Sequence, residues 1–275
     1  MSVGVLAHLF GKLPYKQLAY EVSSQGFTHV QLALWKAIED YDFNKPGLLN
    51  PGLAKEIKDE FARHGVSISV LACYLHFFDR DEEVLRENIE RCKELVRYAS
   101  FLGAPVVAFE VGKPNGEADA NDWARLKETI EEIVEEAGRW GVIVGIEPAN
   151  DHLIGTAKEL LAMLEEIPSS QIGVVLDPGN LLHEGNLDNQ DEVIREAFDL
   201  LGSRIVACHA KDRIWKDNEV VTVPPGKGQM NYELYMELLA KYKPHCNIIM
   251  EEAQPPHQMK ESKYYIENIQ QKVTK

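Results

Sequence analysis

The stretch Ile172–Asn180, "IGVVLDPGN", opens as an unbroken apolar run and stops at an acid. Ile172, Val174, Val175 and Leu176 leave no polar face, the pattern of a strand buried on both sides in a parallel sheet. Pro178-Gly179 then breaks the strand, so Asp177 stands where the chain surfaces. An acid in that place either caps the next helix or belongs to a site, and only the rest of the chain can decide.

The run is one of a series. Short apolar segments predict strands at Val3–Ala7, Thr28–Leu34, Ser67–Cys73, Pro105–Glu110, Val142–Glu147, Ile172–Asp177, Arg204–His209 and Asn247–Glu251. Between them lie helical patterns. In "DEEVLRENIERCKELVRYASFLG" and "DWARLKETIEEIVEEAGRWG" apolar residues recur at three and four positions, and a glycine closes each. "GTAKELLAMLEEI" carries a capping box, Thr156 with Glu159. Strands alternating with helices over short connections give an α/β chain with a parallel sheet, and eight such units predict a single (β/α)8 barrel spanning residues 1–275. No Pro/Ser-rich linker divides it. A doubly wound open sheet is the competing fold, but no GxGxxG follows the first strand.

Composition narrows the partners. A formal charge of −15 opposes attraction to nucleic acid and to anionic membrane surfaces, so a small molecule is the expected partner. Cys73, Cys92, Cys208 and Cys246 form no CxxC or zinc-finger spacing and read as reduced thiols. The N-terminal "MSVGVLAHLFGKLPYK" has too short an apolar stretch for a signal peptide, and no later run reaches membrane-spanning length. A cytoplasmic protein is expected.

Asp177 has counterparts at three other strand ends: "GVIVGIEPAN" ends in Glu147, "RIVACHAKD" delivers His209, and "CNIIMEEAQ" delivers Glu251. A barrel opens all its strand C-termini on one face, so residues distant in sequence converge there. Strand alternation puts Ile143, Gly145, Gly173, Val175, Ile205, Ala207 and Ile249 on the same side as these four, as a crowded barrel interior requires. Three carboxylates gathered together repel one another and need a cation or protons to hold them. One divalent metal ion answers that need, manganese first, with cobalt, magnesium or zinc as alternatives. Taken singly, each residue also has a plain role: Glu147 and Asp177 as helix caps, His209 as a bonded core histidine, Glu251 as a solvated acid.

The ordered set "IEPAN", "VVLDPGN", "CHAKD" and "IIMEE", with "PPGKGQMNY" after the seventh strand, resembles the xylose-isomerase-like barrels. That family includes ketose 3-epimerases, sugar-phosphate epimerases, hydroxypyruvate isomerase, inosose dehydratase and the endonuclease IV group. The resemblance implies that Glu147, Asp177, His209 and Glu251 are metal ligands and that Glu147 and Glu251 double as the catalytic acid/base pair. It implies a carbohydrate substrate and a metal-dependent sugar or sugar-phosphate isomerase or epimerase, with homodimer or homotetramer as the assemblies open to it. "DPGNL", "HAKD" and "PPGKGQMNY" look most like sugar-phosphate epimerases. Two positions depart from free-ketose 3-epimerases, which usually carry histidine and glutamate where Asn180 and Leu153 stand. The endonucleases need further histidines where this chain has Cys73-Tyr74, Glu110-Val111 and Asn180, so DNA cleavage is disfavoured.

In such a site a metal would polarise a sugar carbonyl while one glutamate removes the neighbouring proton and the other returns one. Return to the opposite face epimerises, return to the adjacent carbon isomerises, and loss of a β-hydroxyl dehydrates. A non-catalytic sugar-binding barrel is the alternative of another class. Candidate substrate contacts are Asn180, which otherwise completes a turn; Lys211, which otherwise pairs with Asp212; Arg213, with Trp215 in the same loop; His152 after Glu147; Trp35 at the end of strand two; and His8 after strand one. "GKG", Gly226–Gly228, offers backbone N–H groups to a phosphate or is an ordinary turn.

Overall fold

The computed structural model describes residues 1–114 and 116–273. The expected extent, 1–275, includes Asn115, Thr274 and Lys275, which lie outside the described residues. Eight parallel strands close into a barrel in the order β1-β10-β7-β6-β5-β4-β3-β2. They are β1 (Val3–Leu6), β2 (His29–Leu32), β3 (Ser67–Ala72), β4 (Val106–Phe109), β5 (Ile143–Ile146), β6 (Ile172–Leu176), β7 (Ile205–Ala210) and β10 (Ile248–Met250). A hairpin outside the barrel, β8 (Asp212–Lys216) with β9 (Glu219–Val223), follows β7. The helices are α1 (Tyr15–Ser24), α2 (Leu34–Ala37), α3 (Pro51–Arg63), α4 (Glu82–Leu102), α5 (Ala120–Trp140), α6 (Ala157–Glu166), α7 (Gln190–Leu201), α8 (Tyr232–Tyr242) and α9 (Pro256–Val273). Together these make a single (β/α)8 TIM barrel.

Local chemistry sets the helix ends. Thr156 Oγ1 accepts from the Glu159 N–H at 3.2 Å and the Glu159 carboxylate accepts from the Thr156 N–H at 3.0 Å, which starts α6. Gly103 and Gly141, in the left-handed region, end α4 and α5. Among the described residues no helix is long and apolar enough to cross a membrane. All four cysteines are free.

The apolar residues form two cores. One lies between strands and helices; the other fills the barrel with Leu6, Val70, Val106, Ala108, Val175, Ala207 and Ile249, joined by Ile143 and Val206. Ile205, expected inside, belongs to the outer core instead. The β6–β7 register slips between Val174 and Val175, which pair with Ile205 and Ala207, so β7 carries one extra residue and Val206 takes the inward place. Gly173 faces that valine, and a Cβ there would meet Val206 Cγ1 at 2.5 Å.

One further expectation is corrected. Strand two ends at Leu32, so Trp35 stands on α2 rather than at a strand end. The chain after β7 turns outward into the hairpin, whose Asp217-Asn218 turn has φ of 52° and 69° at its two central residues. That is the turn whose twist matches paired strands.

A candidate metal centre at the barrel mouth

Four adjacent strands deliver the centre. Glu147 follows β5, Asp177 follows β6, His209 lies on β7 and Glu251 follows β10. Each is buried, and one ligand atom from each falls within 4.8 Å of the others. His209 Nδ1 stands 3.0 Å from Glu147 and 3.0 Å from Glu251. Asp177 Oδ1 accepts the Gly179 N–H at 2.8 Å, while its Oδ2 is buried with no hydrogen bond and faces only the Lys211 ammonium, at 3.3 Å. A buried carboxylate oxygen in that state fits a cation. The donor set, three carboxylates and one imidazole, fits a hard to borderline divalent metal.

The protein partly balances this charge with its own cations. Lys211 Nζ lies 2.7 Å from Glu251 Oε2 and 3.3 Å from Asp177 Oδ2. Burial pushes Glu147 up to about 7, although His209 opposes it. Burial likewise raises Asp177 against the pull of Lys211. For Glu251 burial acts upward too, but Lys211 and His209 outweigh it and hold the carboxyl well below its ordinary range. His209 and Lys211 are raised in return: burial disfavours their charge, and the surrounding carboxylates more than reverse it.

Of the other residues singled out in the sequence, Asn180 and Lys211 join the group directly. Asn180 Nδ2 donates to Glu147 Oε1 at 2.8 Å and to Glu110 Oε1 at 3.1 Å. Lys211 pairs with two of the three acids, Asp177 and Glu251, rather than with Asp212. Arg213 is one step out. Its Nε donates to the Gly179 carbonyl at 2.7 Å and its Nη1 to Thr222 Oγ1 at 2.5 Å, and with Asn150, Asn180 and His183 it lines a cavity of about 240 Å³. His152 accepts the Gly112 N–H on Nδ1 at 3.3 Å and lies 3.9 Å from Glu110. His8 packs edge-on against Tyr74, with Nδ1 buried and unpartnered; burial, then Lys36, lowers its pKa to about 4. Trp35 faces the helices, with the Arg91 guanidinium 5.0 Å over its ring. Trp215 is exposed on β8.

The Gly-Lys-Gly turn binds a carboxylate of the protein itself. The N–H groups of Gly226 and Gly228 donate to Asp212 Oδ2 at 3.0 Å each, and those of Arg213 and Met230 to Oδ1 at 2.8 and 2.9 Å. These donors are therefore spent, and a phosphate has no call on them. A Cβ at Gly228 would collide with Asp212, which is why the position is glycine.

Four residues that the sequence did not single out as site residues complete the mouth. Gln31 on β2 bonds His209, Tyr74 after β3 bonds Gln31, Glu110 after β4 accepts from Asn180, and Lys36 on α2 stands 3.7 Å over the Tyr74 ring. A groove of about 980 Å³ runs between α4 and α5 and includes none of them.

No curated protein matches the sequence significantly. Among solved structures the chain is similar to a D-tagatose 3-epimerase-like protein, with a TM-score of 0.80 at 21% identity over 100% of this chain and 98% of that one. A D-psicose 3-epimerase studied with D-fructose gives 0.75 at 17%, over 100% of both chains. A xylose isomerase-like TIM barrel protein from Mycobacterium smegmatis in complex with magnesium gives 0.77 at 16%, over 100% of this chain and 98% of that one. At these identities the likeness is one of fold. The family model for the xylose isomerase-like TIM barrel matches residues 19–269, a span that takes in all four strand ends of the centre, and the chain belongs to that family.

Proposed function

We propose that the protein is a divalent-metal-dependent isomerase or epimerase of a small carbohydrate. The observation that carries this reading is the buried Glu147–Asp177–His209–Glu251 group with Asp177 Oδ2 left without a hydrogen bond. When bound, a divalent ion supplies Lewis acidity at a sugar carbonyl and the neighbouring hydroxyl oxygen. The chain's own residues do the rest. Asn180 grips Glu147 by Oε1 and Lys211 grips Glu251 by Oε2, so each glutamate is oriented while its second oxygen stays free of that grip. One glutamate takes the proton beside the carbonyl and the other returns one, to the opposite face or to the adjacent carbon.

The structural neighbours named as sugar epimerases and the one named as a magnesium complex support this reading. Manganese heads the candidate metals because the donors are mostly carboxylate oxygens, with magnesium, cobalt and zinc behind it. Asn180 and Leu153 stand where free-ketose 3-epimerases usually carry histidine and glutamate, so the substrate panel must extend to phosphorylated ketoses and keto-cyclitols.

Two measurements test the proposal. Metal analysis should find one divalent ion per chain, and an Asp177→Ala protein should hold much less; equal content in both removes Asp177 from the site. Incubating the metal-loaded protein with the panel in D2O should place deuterium beside a carbonyl. A product lighter by one water instead assigns dehydration, and a broad panel with neither exchange nor turnover favours a sugar-binding barrel.

A further inference from the structure

The two ring nitrogens of His209 have neighbours of different kinds. Nδ1 faces Glu147 and Glu251, and Nε2 lies 2.8 Å from Gln31 Oε1, which comes from the opposite side of the mouth. A metal held among the carboxylates would take the lone pair of Nδ1, which leaves the ring proton on Nε2. Gln31 presents a carbonyl oxygen there, an acceptor that suits only the protonated nitrogen. The other end of the amide is bonded as well, Nε2 of Gln31 donating to the Tyr74 hydroxyl at 3.4 Å.

The backbone supports the same aim. The β2–β3 register slips between Val30 and Gln31, which pair with Ile68 and Val70, so β3 carries Ser69 as an extra residue. Ser69 Oγ donates to the Val30 carbonyl at 3.1 Å and so braces β2 directly before Gln31. Gln31 is itself 2% exposed and reaches His209 past β1 and β10. A buried polar side chain on a short strand has to be bonded at both ends, and this one is.

We infer that Gln31 fixes His209 in its Nε2–H form and thereby aims Nδ1 at the metal. Gln31 is a positioning residue, and its role rests on the metal reading of the four-residue group. It is also independent of which sugar is turned over.

The test compares wild type with Gln31→Leu, which removes the acceptor, and Gln31→Glu, which keeps it. Calorimetric titration with Mn2+ should show Gln31→Leu binding about 10–100-fold more weakly, while Gln31→Glu stays within about threefold of wild type. Long-range 15N–1H spectra of the histidine-labelled, Zn2+-loaded proteins should show His209 protonated on Nε2 in wild type and in Gln31→Glu, and lose that single form in Gln31→Leu. A folded Gln31→Leu protein that binds Mn2+ as wild type does overturns the inference. So does an equal loss in both variants, which would make the side chain's bulk the cause. If Gln31→Leu does not fold, Gln31→Met takes its place, since it keeps the length and bulk but lacks the carbonyl: weaker binding with a changed tautomer supports the inference, and wild-type behaviour overturns it. A wild-type protein that binds no Mn2+ overturns the metal reading as well, whereas binding that ignores Gln31 overturns this inference alone.

Discussion

A Glu251→Gln protein is expected to keep its metal, more weakly, and to lose proton transfer by about 10²–10⁴-fold. Glutamine retains an oxygen able to coordinate but lacks the ionised carboxylate that accepts a proton. The change also removes the anionic partner at 2.7 Å from Lys211 and at 3.0 Å from His209, so Asp177 is left as the acid beside Lys211. Metal analysis and the deuterium exchange rate on a substrate found in the panel separate the two effects. The neighbouring Glu252 is the control. The strand ends at Met250, and Glu252 is exposed with a φ of 58°, so its side chain leaves the mouth for solvent. Glu252→Gln should exchange at the wild-type rate. A dead Glu252 variant beside an active Glu251 variant would reverse the assignment.

The centre was legible because four buried strands end abruptly at metal-competent side chains, and closure of the barrel makes that coincidence spatial. The same inward parity, carried to the other strands, reaches His8, Gln31, Tyr74 and Glu110, and the last three were overlooked. "THVQLAL" held a signal: His29 and Gln31 alternate with Val30 and Leu32, which puts two polar residues inside a barrel. The hairpin had a signal too, since Asp217-Asn218 between "RIWK" and "EVVTV" favours positive φ on both turn residues. Ile205 is different. Its outward turn depends on a one-residue slip against β6, and alternation along β7 alone carries no information about the register of a neighbour.

An Asp212→Ala protein is expected to lose roughly 3–5 kcal/mol of stability, although the bonds of Asp212 go to backbone N–H groups and not to the four side chains of the candidate centre. Each of its oxygens accepts two backbone N–H groups, which draws the loop from Pro224 to Met230 against the start of β8. Burial raises the Asp212 pKa despite those four bonds, so the ionised carboxyl is not a strong stabiliser in its own right. The loss on substitution comes instead from the donors it would strand: Met230 is buried and Arg213 and Gly228 are half-buried, while the exposed Gly226 can turn to water. Asp212→Asn separates the two: its amide oxygen can still accept two N–H groups, but its NH2 would face the other two. It should fall between wild type and Asp212→Ala in denaturant midpoint, at an unchanged slope. The damage should also reach the centre. The loop leads into α8, whose Tyr232 and Tyr235 hydroxyls donate to the carbonyls of Lys211 at 2.8 Å and His209 at 2.9 Å. Loosening the loop therefore slackens the end of β7, and Asp212→Ala should bind Mn2+ more weakly even where it remains folded. Unfolding at the wild-type midpoint would show that water replaces the carboxylate, and that the Gly-Lys-Gly turn holds its shape without it.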